Sequence, residues 1–306
     1  MTENEPLTPA QEEMRPGATA LIRDLVIHLR LHFQLLLAPI YLWGFYLADG
    51  RIDLAFGLGF LAFHLFLYGG TTAYNSYYDR DEGPVGGLEK PPPVTELLLP
   101  FSWGMQLIGV LLAAFVNVPL LVLYLVIMGM GIAYSHPRTR WKARPFGGLL
   151  TVGVGQGILA GLAGWVTAQP DLLQMTLVDG LGILAIALVT VGFYPLTQIY
   201  QIEEDAARGD ITFAVWAGSR GVFRFAIPLL AGAAILLIGV IVLTMGWWAG
   251  LLVGAVYVWL LVALLRWASQ YDEQDVLANF RYIMRIYQTS SGGFLLLLCL
   301  HLFWLI

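Results

Sequence analysis

The chain has 306 residues, 58% of them hydrophobic and 12% charged, with a mean hydropathy of +0.73 and a formal net charge of −5. Soluble domains are about half apolar and a quarter charged, so a chain of this length could not hide its apolar surface from water, and the composition excludes an ordinary soluble enzyme. A single cysteine, Cys299, excludes an internal disulfide, and the basic residues are spread over loops rather than gathered on a nucleic-acid face.

Residues 1–20 read as a disordered cytoplasmic tail, polar and carrying Glu3, Glu5, Glu12 and Glu13. The tail has no basic start followed by an apolar core, so it is not a signal peptide. Residues 21–306 read as one transmembrane domain. Crossing a bilayer takes about 20 mainly apolar residues. On that rule the expected fold is all-α and polytopic, with about nine spans. They are Phe33–Ala48, Leu54–Tyr74, Leu97–Val116, Val118–Tyr134, Phe146–Val166, Leu177–Tyr200, Phe225–Met245, Trp247–Leu265 and Ile286–Ile306. The first is expected to begin earlier, near Leu21, and Asn117 leaves only a tight turn between the third and fourth. Gly69-Gly70 and Gly161-x-x-Gly164 are expected to allow close helix contact.

Basic residues set the orientation. Arg15, Arg23 and Arg30 precede span one, and further clusters follow spans two, four, six and eight, with Arg51 alone on the other side. The alternation predicts a cytoplasmic N-terminus and an external C-terminus. Trp43, Trp165, Trp247 and Trp248 fall near span ends, where interfacial indoles are common. With no targeting signal in the sequence, the plasma (inner) membrane is the expected location.

Three segments on the predicted cytoplasmic side carry chemistry. The first runs from Tyr74 to Pro84 and continues span two. It places Asn75 and Asp79 at i and i+4 on one helical face, with Glu82 at i+3 from Asp79 and Gly83-Pro84 as the stop. Oxygen ligands at a buried helix end suit a hard divalent cation such as Mg2+. The second runs from Tyr200 to Asp210 and again spaces Gln201 and Asp205 by four, with Glu204 beside them. Either cluster alone also reads as a solvated loop; two that directly extend apolar spans are harder to dismiss, because carboxylates at membrane depth are costly and usually functional. The third, Tyr134-Ser135-His136-Pro137-Arg138-Thr139-Arg140-Trp141-Lys142, gathers cations on the same side. His28 and His32 are also four apart, but a pair without a carboxylate in register reads as packing. No Walker A loop, zinc-spaced cysteines or dinucleotide fingerprint occurs.

Together the three segments resemble the UbiA superfamily of intramembrane prenyltransferases. That family has a first acidic motif of the form NDxxDxxxD, a YSxPPxRxK-like stretch and a second motif of the form DxxxD. Asp205, Gly209, Thr212 and Gly218 match what commonly follows the second motif. Ser76, Gly83 and Gln201 stand where the family's motifs have aspartate. The resemblance implies a bundle around a central cavity and Mg2+-dependent transfer of a prenyl group from an isoprenyl diphosphate to a lipophilic acceptor, such as an aromatic quinone precursor. It implies Asn75, Asp79, Gln201 and Asp205 as metal ligands, with Asp81, Glu82 and Glu204 as auxiliary acids. Lys90, Arg140 and Lys142 would contact the diphosphate, and Tyr134 would face the allylic cation. A terpene cyclase on the same fold, or a lipid-binding or transport protein that has lost catalysis, are the alternative readings.

Overall fold

The computed structural model describes residues 17–304, and among them it is helical apart from turns and one antiparallel bridge between Val85 and Leu88. The expected tail lies outside the described residues up to residue 16, while Ala18–Ala20 already form the first turn of helix α1, Ala18–Ile27. The bundle continues with α2 (Leu31–Leu47), α3 (Leu54–Asp79), α4 (Leu98–Val116), α5 (Val118–Ser135) and α6 (Pro145–Ala168). Then follow α7 (Leu177–Leu196), the short α8 (Ile202–Ala207), α9 (Phe213–Met245), α10 (Trp247–Gln270) and α11 (Val276–Trp304). Counting α1 with α2 and α7 with α8, nine segments among the described residues are long and apolar enough to cross a membrane.

The helix ends follow local chemistry. Asp53 caps α3 by accepting from the Phe56 N–H at 2.9 Å, and Asn117 caps α5 from the expected tight turn, accepting from Leu120 N–H at 2.8 Å. Thr176 and Asp179 form a capping box at the start of α7. Two helices begin well before their expected spans. Helix α9 begins at Phe213, twelve residues before the apolar run at Phe225, and Gly218 breaks its first turns with φ 67°. Helix α11 starts at Val276, ten residues before Ile286, because its polar first turns pack against the bundle through Asn279, which accepts from Trp267 Nε1–H at 3.0 Å.

Most exposed apolar side chains point outward, including Leu111, Phe115, Ile235, Leu243 and Leu251, as a lipid-facing surface requires. Between helices, where lipid and side chains are equally apolar, close approach and polar contacts hold the bundle. The expected glycine contacts are present. A Cβ on Gly44 would fall on the Gly161 carbonyl, one on Gly164 would fall on the Tyr41 carbonyl, and one on Gly70 would come within 2.7 Å of the Gln106 side chain. Tyr41 shares a hydroxyl hydrogen bond with Thr167 at 2.6 Å across the α2–α6 seam. Trp43 and Trp165 are not interfacial indoles: both are buried, and Trp43 Nε1–H donates to the Gly182 carbonyl at 3.0 Å. Trp247 does lie on the surface.

Two π-helical stretches, Ala62–Tyr68 in α3 and Thr151–Leu159 in α6, interrupt otherwise regular helices. Such segments are common at functional sites. Here the second places Thr151, Val152, Gly155 and Gln156 on the wall of a central cavity, and the first ends at Tyr68 on the same wall.

The α2–α6 seam generates a prediction. Gly164→Leu should lower the thermal midpoint in detergent, corresponding to about 1–3 kcal/mol of overpacking. Gly57→Ala, where a Cβ meets nothing within 4 Å, should leave the midpoint unchanged or raise it.

Candidate functional site

The cavity has a volume of about 240 Å³ and is polar at one end and apolar at the other. Its polar end is assembled by three chain segments. Helix α3 carries Asn75 and Asp79 on its last turn, so the i, i+4 reading holds. It stops at Asp79, earlier than Gly83-Pro84, because Arg80 takes the left-handed conformation (φ 51°). That turn carries Glu82 away from the Asp79 face, and Glu82 is exposed and outside the cavity wall.

The second acidic segment is not a simple extension of span six. Pro195 sits in the final turn of α7, which ends at Leu196; a 3-10 turn, Ile199–Gln201, follows, and α8 begins at Ile202. Gln201 and Asp205 therefore lie on either side of a helix start rather than on one helical face. Both still line the cavity. The loop after α8 is fixed by Asp210 N–H donating to the Asp205 carbonyl at 2.9 Å and Ile211 N–H donating to the Ala143 carbonyl at 3.2 Å.

The third segment closes the ring. Ser135, at the end of α5, donates its hydroxyl to Asn75 Oδ1 at 2.8 Å. Lys142, in a 3-10 turn, forms an ion pair with Asp79 Oδ2. Arg140, left-handed at φ 37°, forks onto both oxygens of Asp210 at 2.7 Å and stands 3.6 Å from Asp79 Oδ1. Arg140 is thus a brace behind the wall rather than a lining residue.

Arg208 ties the two acidic segments together. It donates to Asp205 Oδ1 at 2.8 Å, to Asp81 Oδ1 at 2.6 Å and to the Asp79 carbonyl at 3.3 Å, and it stands 3.5 Å from Glu204. Glu204 supports Arg208 from outside the lining, whereas Asp81 is a lining residue. Lys90 is exposed and lies outside the lining, so the structure does not bring it to the site.

These contacts set the ionisation of the groups beyond the spans. Burial pushes Asp210 upward, but the Arg140 fork outweighs it and holds the carboxyl below its ordinary value of 3.8. The same hydrogen bonds raise Arg140. Burial alone would lower Arg208; its bonds to Asp81 and Asp205 reverse the sign and raise it. All three groups stay charged at neutral pH.

Toward the membrane interior the walls become aromatic and aliphatic. Tyr134 shares a hydroxyl hydrogen bond with Tyr194 at 3.0 Å, and Gln198 Nε2–H donates to Tyr194 at 3.0 Å. Tyr200, Tyr68, Phe33, Phe193 and Tyr287 add further faces. Of the tyrosines flanking the motifs, Tyr74 and Tyr78 stay outside; they pack on each other at 5.0 Å. A smaller apolar cavity of about 60 Å³ shares Thr190, Phe193 and Tyr287 with the main one.

Several lining residues escaped the motif reading. Arg30 looked like an ordinary positive-inside residue, yet it is buried, with a relative exposure of 5%. It caps α2 in the left-handed conformation (φ 50°) and donates to Ser76 Oγ at 2.8 Å. The loop at Gly86 covers it so closely that a Cβ there would meet Arg30 Nη1. His32 Nε2–H donates to the Gly87 carbonyl at 3.1 Å, and His28 is buried. The signal for Arg30 was its position beside a long apolar run, nine residues before Pro39.

Among the described residues, no three His, Cys, Asp or Glu side chains converge as a metal cluster. Asp79, Asp205, Asn75 and Gln201 nevertheless present hard oxygen donors to one space. Buried polar atoms left without a hydrogen-bond partner gather around it: Arg30 Nε, Tyr68 OH, Thr71 Oγ1, Asp79 Oδ1, Gln198 Oε1 and Arg208 Nε. Such atoms are rare in native interiors. An orphaned carboxylate oxygen beside side-chain amide oxygens fits a divalent cation, and the orphaned guanidinium nitrogens fit an anion.

Fold and site define an integral membrane protein whose helical bundle encloses a charge-ended, aromatic-lined chamber. The chain belongs to the UbiA prenyltransferase family, whose model matches residues 37–287. The fold is shared with a UbiA homolog from Archaeoglobus fulgidus bound to GPP and Mg2+, at 20% identity and TM-score 0.65, covering 89% of this chain and 99% of that one. A UbiA homolog from Aeropyrum pernix K1 in its apo form aligns at 21% identity and TM-score 0.62, over 87% of this chain and 97% of that one. A digeranylgeranylglyceryl phosphate synthase aligns at 17% identity and TM-score 0.62, over 90% and 97%. No curated protein matches in sequence.

The Arg140–Asp210 clasp yields a pH prediction. A depressed carboxyl pKa contributes stability that is complete above the ordinary value and lost as pH falls through the folded one. Asp210→Asn should therefore lower stability by about 1.5–3 kcal/mol. The gap in thermal midpoint between wild type and variant should be constant from neutral pH down to about pH 5 and close only below about pH 4.

Proposed function

We propose that this protein is a Mg2+-dependent prenyltransferase, moving a prenyl group from an isoprenyl diphosphate to a lipophilic acceptor within the membrane. One observation carries the reading: Asp79 and Asp205, from segments 126 positions apart by their own numbers, line one cavity and are tied through Arg208. A polar end fitted to a metal and an anion opens directly onto aromatic and aliphatic walls that suit an isoprenoid chain.

Asp79 and Asp205, with Asn75 and Gln201, would hold the metal, and Ser135 orients Asn75 for it. When bound, Mg2+ screens the carboxylates from the diphosphate and stabilises negative charge on the leaving group. Lys142 and Arg208 already sit on these carboxylates and line the cavity, so they can shift their hydrogen bonds onto phosphate oxygens without moving far. Arg140 holds the Asp210 loop and stays in place. Departure of diphosphate leaves an allylic cation. Tyr134, Tyr194 and Tyr200 present π-faces beside the carboxylates, each worth about 0.5–2 kcal/mol toward a cation. The apolar walls keep water from the cation until the acceptor attacks.

A lipid-soluble aromatic acceptor of the quinone-precursor type suits this lining, because it would attack through an electron-rich ring while its apolar substituents remain among the spans. Arg140, Lys142 and Arg208 at the polar end support a cytoplasmic mouth by the positive-inside rule.

The test is diphosphate release by purified protein given Mg2+, a panel of labelled prenyl diphosphates and aromatic acceptors. Asp79→Asn and Asp205→Asn should each lower the rate by about 100-fold or more, and chelation should abolish it. Lys90→Ala should change it by no more than about twofold, as expected of a surface site. Hydrocarbon product without an acceptor would favour cyclisation, and no release across the panel would overturn the proposal.

A further inference from the structure

Arg30 is an expensive residue for the fold to keep where it is. A guanidinium buried at membrane depth without a carboxylate is unfavourable, and a left-handed non-glycine backbone adds about 1–2 kcal/mol. Residues held under such strain cluster at functional sites. Every other cation at the polar end has a carboxylate partner: Lys142 has Asp79, Arg140 has Asp210, and Arg208 has Asp81 and Asp205. Among the described residues Arg30 has none; its one side-chain hydrogen bond goes to the neutral Ser76 hydroxyl, and its Nε is unpartnered. Arg30 also precedes the segment matched by the family model, which begins at residue 37.

Ser76 is the second half of the observation. It is buried on the turn of α3 that carries Asn75 and Asp79. A carboxylate at this position would lie within reach of Arg30 and neutralise it. Serine instead accepts a hydrogen bond, fixes the guanidinium and leaves it without a direct ion pair. Gly86, with φ 47°, closes over the other side of the group, so the charge faces the cavity rather than bulk water.

We infer that Arg30, steadied by Ser76, is an anion-binding residue of this cavity that contacts the diphosphate directly and makes part of its binding independent of divalent metal. The inference rests on the prenyltransferase reading and deepens it. A guanidinium offers a planar pair of donors suited to two phosphate oxygens, and Arg30 needs no metal to become attractive to them. The three carboxylate-bound cations, by contrast, must first exchange a partner.

The experiment measures binding of an unreactive prenyl thiodiphosphate to purified protein, with Mg2+ and with EDTA. Wild type should bind with Mg2+ and retain measurable binding in EDTA. Arg30→Gln should weaken the EDTA value by about ten- to a hundredfold, the loss of a charged hydrogen bond. Arg30→Lys should recover part of it. Ser76→Asp leaves Arg30 in place and should weaken EDTA binding by a similar factor through ion pairing. Ser76→Ala, which creates no ion pair, should have a much smaller effect. If Arg30→Gln fails to fold, the Ser76 pair still decides the question. Unchanged EDTA binding in Arg30→Gln or in Ser76→Asp, or no EDTA binding by wild type, overturns the inference while leaving the prenyltransferase reading intact. Failure to bind even with Mg2+ overturns both.

Discussion

The bridge from Arg208 to Asp81, Asp205 and the Asp79 carbonyl is the contact on which the rest of the site depends. Carboxylates buried at the end of apolar helices would repel one another and resist folding unless each met a cation. Lys142 and Arg140 complete the compensation from a third segment. The result is a polar floor that is close to charge-balanced, rigid and drawn from three distant parts of the chain. It is also labile in a useful sense. Ion pairs that line a cavity can be exchanged for a metal on the acidic side and phosphate on the basic side, at little rearrangement of the backbone.

The scaffold serves that floor. Close glycine contacts let α2 and α6 approach until their backbones nearly touch, and a few interhelical hydrogen bonds fix their register. The π-helical stretches in α3 and α6 then turn particular residues inward along the chamber. Polar and apolar halves of one cavity follow from its position at the end of the bundle: loops supply the charges and helices supply the rings.

Much of this was legible in the sequence, and the reasons are physical. Hydropathy marks spans because lipid demands long apolar helices, and the i, i+4 pair Asn75/Asp79 survives because the last part of α3, Gly69–Asp79, is regular α-helix. The second motif is helical but does not extend span six directly, because the helix breaks after Pro195 within a span-length apolar run; tertiary contacts from Arg208 and Ala143 hold that segment, and spacing does not reveal them. Glu82 was placed by its spacing from Asp79 and Lys90 by motif position, but the left-handed turn at Arg80 ends the helix and takes Glu82 off the Asp79 face, and Lys90 lies exposed beyond the part of the loop that reaches the cavity through Asp81, Val85 and Gly86. Arg30 was hidden for the opposite reason: a basic residue before a first span already has an ordinary explanation. Only burial and the absence of an acidic partner set it apart.

The central claim is that Asp79 and Asp205 act on one ligand. Affinity for a prenyl thiodiphosphate with Mg2+, measured for Asp79→Asn, Asp205→Asn and the double variant, tests it most directly. Two groups sharing one ligand should be strongly coupled, so the double variant should bind little worse than either single one. Losses that simply add would mean two independent sites and would contradict the account.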